Sequence, residues 1–142
     1  MVHQSIRIAA PTSTVWKVLT DSAITKQYMY GCEIVSDWGI GSPFNWKGGD
    51  GTVYVKGFLV ALEPERVLRY SMFDPFGGYE DVVANYLTLS NTLTSVDGGT
   101  RLDIESGDFA TVANGEARYR DVTAGGDELL VKIKAIAEGV DR

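Results

Sequence analysis

The sequence predicts an α+β fold: a curved antiparallel sheet of about six to seven strands wrapped around one long C-terminal helix, with two short helices after strand one. Three observations carry this. From Gly31 to Phe109 the chain runs in short alternating or β-branched stretches broken by Gly, Asp and Pro. From Tyr119 to Ala137 the apolar residues recur instead at helical spacing. Between strand one and the meander lies a second, shorter stretch of helical spacing.

The elements follow in order. Gln4 to Ile8 alternates polar and apolar with Ile6 and Ile8 on one face, and Pro11 stops it. Thr12, Ser13 and Thr14 offer hydroxyl caps to a helix carrying Val15, Trp16, Val18 and Leu19, ending near Asp21, and Ser22 to Tyr28 forms another. Strands are expected near 32–36, 43–47, 52–62, 66–73, 84–96 and 100–108. Glu63-Pro64-Glu65 marks a turn, and Asp97-Gly98-Gly99 supplies the positive φ values of a tight hairpin. Val122, Gly126, Leu129, Leu130, Ile133, Ile136 and Ala137 form the stripe of the last helix, which spans about 20 Å from Gly126 or about 37 Å if it starts at Asn114. Gly125 and Gly126 either kink it or delay its start.

One domain, residues 1–142, accounts for the length, with 44 % apolar and 23 % charged residues. A net charge of −6 opposes binding to nucleic acid or anionic membranes. Cys32, the single cysteine, excludes an internal disulfide and reads as a small buried apolar side chain. No apolar leader segment and no run of about 18 apolar residues occurs, so cytoplasm is the expected location.

A single helix meets a curved sheet only along its stripe, so the flanks are filled by large side chains or left hollow. The inward tracks are Leu68, Tyr70, Met72; Leu87, Leu89, Asn91, Leu93; and Leu102, Ile104, Ser106. Asn91 and Ser106 interrupt them with polar groups that need partners, which a ligand or water could supply; a β-bulge turning Asn91 to solvent is the alternative. Gly126 leaves its place on the helix stripe without a side chain. The expected lining is Tyr70, Asn91, Tyr119 and Gly126, with Met72, Leu89, Val122 and Leu129 as apolar wall.

Four segments resemble one family: Ile8-Ala9-Ala10-Pro11 leading into Val15 to Asp21; Gly57 to Leu68; Gly98 to Leu102; and Asp127 to Lys134. In their order and spacing the chain resembles the activator of 90-kDa heat-shock protein ATPase homologue-like branch of the START-like (SRPBCC) superfamily. The resemblance implies the helix-grip fold with a hydrophobic cavity. Its members include co-chaperone domains, lipophile carriers and aromatic-polyketide cyclases, and a shared fold does not fix a shared site. Tyr28-Met29 stands where the family often shows an aromatic pair, and Gly125-Gly126 where it often shows Gly-Trp. The cavity is therefore expected to be enlarged, or repacked by Trp38, Phe44 or Trp46.

No residue is singled out as catalytic. His3 has no obvious partner in the sequence, no nucleophile elbow or phosphate-cradling loop occurs, and Glu80-Asp81 and Asp103 with Glu105 read as solvated acids. No metal site or cofactor is expected. The leading expectation is non-catalytic binding of a small hydrophobic or aromatic molecule. The alternatives are a co-chaperone module stimulating a 90-kDa heat-shock protein ATPase and a polyketide cyclase or aromatase-like enzyme using tyrosine hydroxyl or asparagine amide groups, with Tyr70 and Tyr119 as the candidate weak acids. Oligomeric state is not readable.

Overall fold

The computed structural model describes residues 2–28, 31–73, 75, 80–82, 85–107 and 128–140. Alternation builds strand β1 (Val2–Ile8), and Pro11 then opens α1 (Thr12–Thr20). The expected hydroxyl cap is absent: Pro11 is the N-cap, its carbonyl accepting from Thr14 N at 3.0 Å and Val15 N at 3.1 Å. Proline's fixed φ suits this entry, and the Thr12 hydroxyl is used elsewhere, donating to Glu65 at 3.0 Å. Asp21 ends α1 and caps α2 (Ser22–Tyr28), its Oδ1 accepting from Ala23 N at 2.9 Å.

The meander follows as β2 (Glu33–Ser36), β3 (Phe44–Lys47), β4 (Val53–Val55), β5 (Leu59–Glu63), β6 (Val67–Met72), β7 (Leu87–Val96) and β8 (Gly99–Gly107). Five strands form one antiparallel sheet in the order β1-β8-β7-β6-β5, and three form another, β2-β3-β4. The strand expected over 52–62 is thus divided. It passes from the small sheet to the large one through Lys56-Gly57-Phe58, which keeps bridges to both Pro43 and Phe73. The division folds the sheet into the expected curve.

Turns show why particular glycines stand where they do. Glu63 O accepts from Arg66 N at 2.9 Å around Pro64-Glu65, with Glu65 at φ 64°. In the β7–β8 hairpin, of Asp97, Gly98 and Gly99 only Gly98 takes a positive φ, 76°. Gly99 is required for a different reason: its Cβ would sit 3.0 Å from the Ile8 carbonyl carbon and closer to the oxygen.

The last described element, α3 (Glu128–Val140), buries Leu130, Ile133 and Ala137, the stripe the periodicity predicts. Its second half is fastened to the end of β1: Lys134 Nζ donates to Arg7 O at 2.9 Å, and Ala9 N donates to Glu138 at 2.9 Å. These bonds also occupy part of the edge strand's backbone, which would otherwise be open to another chain. A start at Asn114, and the kink or delay at Gly125-Gly126, lie outside the described residues.

Surface carboxylates are held below their ordinary range. Hydrogen bonds from Lys56 and then Tyr86 lower Asp81. At Asp103 partial burial alone would raise the value, and hydrogen bonds from His3 and Ser5 with the charge of Arg101 outweigh it. A carboxyl whose folded pKa is depressed contributes stability above its unfolded value and loses it as pH falls through the folded value. The melting midpoint is therefore expected to hold steady above about pH 5 and to drop below about pH 4. A midpoint that rises on acidification in thermal melts would contradict this assignment.

Candidate functional site

The concave face of the large sheet carries the inward tracks read from the sequence. Leu68, Tyr70, Leu87, Asn91, Leu93, Leu102, Ile104 and Ser106 are all buried, and Met72 and Leu89 are partly so. Between this face and the helices lies a cavity of about 80 Å³. From the large sheet it is lined by Leu68, Tyr70, Met72, Leu89, Asn91 and Ile104; from the small sheet by Trp46 and Val55; and from the helices by Leu19, Tyr28 and Ile133.

Four of the expected lining residues, Tyr70, Met72, Leu89 and Asn91, are thus brought together. Strand alternation does this: Leu68 pairs with Asn91 and Tyr70 with Leu89 in one unbroken register, so all four project to the same side. Tyr119, Val122 and Gly126 lie outside the described residues, as does the side chain of Leu129. Val55, Leu19, Tyr28 and Ile133 were not assigned to the lining by sequence reasoning, and Trp46 was named only as a ring that could repack the cavity. The bulk of Trp46 and Tyr28 was the available signal.

Asn91 is 3 % exposed, and the ladder runs through it on both sides without a bulge. The alternative that turns it to solvent is therefore overturned. Flanking strands fix its backbone, so the amide points inward, and its Nδ2 donates to Leu68 O at 3.2 Å. The hydroxyl of Tyr28 donates to Val18 O at 2.7 Å, tying α2 to α1 at the cavity's edge. Burial pushes the Tyr70 hydroxyl well above its ordinary pKa, with the Trp46 side chain hydrogen-bonded to it and pulling the other way. Tyr70 is neutral at physiological pH and offers a hydrogen bond, not a charge.

Aromatic rings close the cavity toward the small sheet. Phe44 stacks on Tyr70 at 4.3 Å, meets Trp38 edge-on at 5.6 Å and lies 6.3 Å from Trp46. Trp38, Phe44 and Trp46 are the three rings named as candidates for repacking. Phe44 is fully buried and Trp46 is 4 % exposed. Cys32 is buried beside them in the same core cluster, and burial raises its thiol pKa.

His3 does have a partner, contrary to the sequence reading: Asp103 lies 3.0 Å from its Nε2. The two residues sit diagonally on β1 and β8, on the outward face of the sheet. Arg101 approaches the same carboxylate at 3.2 Å and donates to Ser5 at 3.1 Å. The cluster faces solvent, away from the cavity. Among the described residues no group of three or more His, Cys, Asp and Glu is placed to hold a metal ion. No helix among them is long and apolar enough to cross a membrane.

A sheet folded around a terminal helix, with a small apolar cavity between them, defines the helix-grip class. The chain belongs to the family described as Activator of Hsp90 ATPase homolog 1-like protein, whose sequence model matches residues 9–138. Among solved structures it is similar to a protein from Mesorhizobium loti, with a TM-score of 0.79 and 20 % identity over 99 % of this chain and 98 % of that one. A Cytophaga hutchinsonii protein is 30 % identical with a TM-score of 0.74, over 98 % of this chain and 94 % of the other. The Aha1 dimer from Colwellia psychrerythraea is 16 % identical with a TM-score of 0.71, each chain covered in full at 100 %. No curated protein matches the sequence.

Proposed function

We propose that this protein binds a small hydrophobic or aromatic molecule, without turning it over, in the cavity between the concave sheet face and the C-terminal helix. The observation that carries this reading is the cavity of about 80 Å³ whose described lining is apolar apart from Asn91 and the tyrosine hydroxyls. A ligand there gains roughly 25 cal/mol per Å² of apolar surface buried, with polar groups fixing its orientation. Tyr70, Met72, Leu89 and Asn91 form the described part of the site, and Tyr119, Val122, Gly126 and Leu129 complete the proposed lining. The lone thiol and acidic surface fit a protein of the cytoplasm.

Native mass spectrometry of the freshly purified protein tests the reading directly. A bound lipophile, or capture of an added one, is expected for the wild type. Leu89→Trp, which fills the cavity from β7, is expected to lose that binding while keeping the fold. Equal capture by the two proteins would place the ligand elsewhere.

Family membership favours a second reading, an interaction with a 90-kDa heat-shock protein. The exposed Ile40, Phe58 and Val60 offer an apolar surface for such a contact, Gly41 N being bonded to Leu59 O at 2.7 Å. Stimulation of the chaperone's ATPase by the purified protein would favour this reading.

A further inference from the structure

The cavity has a chemical polarity of its own, set by one side chain. Asn91 is 97 % buried, being 3 % exposed, and it lines the cavity. A carboxamide offers two donors on nitrogen and an acceptor on oxygen. The nitrogen is engaged, donating to Leu68 O at 3.2 Å, and that bond fixes which end of the amide is which. Among the described residues nothing donates to Oδ1, so the group that Asn91 leaves for a ligand is an acceptor. The other lining groups leave this feature standing. The Tyr28 hydroxyl is spent on Val18 O, and the Tyr70 hydroxyl, hydrogen-bonded with Trp46, can meet the oxygen of an alcohol or an ether alike, so it does not distinguish the two. No charged residue lies among the described lining.

Resting on the binding reading above, we infer that the ligand is a neutral molecule whose polar end is a hydrogen-bond donor, an alcohol or other hydroxyl compound, delivered to Asn91 Oδ1. An acceptor-only molecule leaves that oxygen buried and unpaired, which is the strongest basis for discrimination a buried polar site has. A carboxylate is excluded twice: it repels Oδ1, and no described lining cation compensates the burial of its charge. Met72, unbranched and flexible, gives the cavity some capacity to adjust to the chain of the ligand.

Butan-1-ol and diethyl ether are constitutional isomers that differ in the feature at issue, since only the alcohol donates. Isothermal titration of the intact protein, with amide chemical shifts locating the site, is expected to show butan-1-ol binding about tenfold more tightly than the ether. Butyrate is expected not to bind. Asn91→Val is expected to bring the alcohol and the ether to equal affinity. The wild-type comparison decides alone should that variant fail to fold. Equal or stronger binding of the ether to wild type overturns the donor assignment and leaves the cavity reading intact. If neither isomer perturbs the cavity residues, both fall together.

Discussion

Gly57→Ala is expected to cost about 3 to 4 kcal/mol, a loss large enough to leave much of the protein unfolded at ordinary temperature. The added Cβ would stand 2.5 Å from the Ser71 carbonyl carbon, closer still to its oxygen, and 3.0 Å from Ser71 Oγ. Backbone, not a flexible side-chain end, is what it meets. Retreat is blocked on both sides. Gly57 O accepts from Phe44 N at 2.8 Å, while Ser71 N donates to Phe58 O at 2.9 Å and Ser71 Oγ accepts from Phe58 N at 2.9 Å. Relieving the clash therefore breaks the ladder where one sheet passes into the other. Urea denaturation monitored by circular dichroism measures the loss. A midpoint within experimental error of wild type would show that the crossing relaxes at little cost. Gly139→Ala, where nothing lies within 4 Å of the added carbon, is the matched control.

That crossing marks a boundary between what the sequence discloses and what it conceals. The alternation of 52–62 shows strand, and within it Gly57 is the residue lacking a side chain. An isolated glycine in a strand signals a bulge or a close backbone approach. Reading the stretch as one strand passed over that signal. The tracks on β6, β7 and β8 were legible because alternation alone assigns a face, and burial of one face fixes the register. Hence Leu68, Tyr70, Leu89 and Asn91 were placed correctly relative to each other.

Contributions from across the cavity were not legible in the same way. Trp46 and Val55 arrive because the small sheet curls over the large one, and Tyr28 because its hydroxyl reaches back to Val18 O. Each depends on the angle between elements, which no local pattern records. The partner of His3 escaped for a related reason: Asp103 is 100 positions away in the chain, and only the pairing of β1 with β8 brings them together. The Thr12 hydroxyl could accept from the helix's own N–H donors or donate to a carboxylate. The local rule favoured the helix's own N–H groups, and the hydroxyl instead met Glu65 from a distant turn.

Phe44→Ala is expected to lose about 3 to 5 kcal/mol and, unlike a loss elsewhere in the core, to change what the protein binds. Phe44 is fully buried and touches the rings of Trp38, Trp46 and Tyr70. Its own ring lies behind the cavity, whereas Trp46 and Tyr70 form part of the wall. Truncation opens a void directly behind those two rings, and either ring can tilt into it. The cavity would then grow from about 80 Å³ toward the roughly 150 Å³ that accepts benzene in an engineered apolar core. Indole, larger than the molecules the wild-type space admits, is expected to bind Phe44→Ala and to recover part of the lost stability in proportion to the logarithm of its concentration. Denaturation with and without the probe separates the outcomes. A destabilised variant that gains no aromatic ligand would mean that the rings collapse into the void, so that the sheet's own aromatics set the cavity's size whatever stands on the helix.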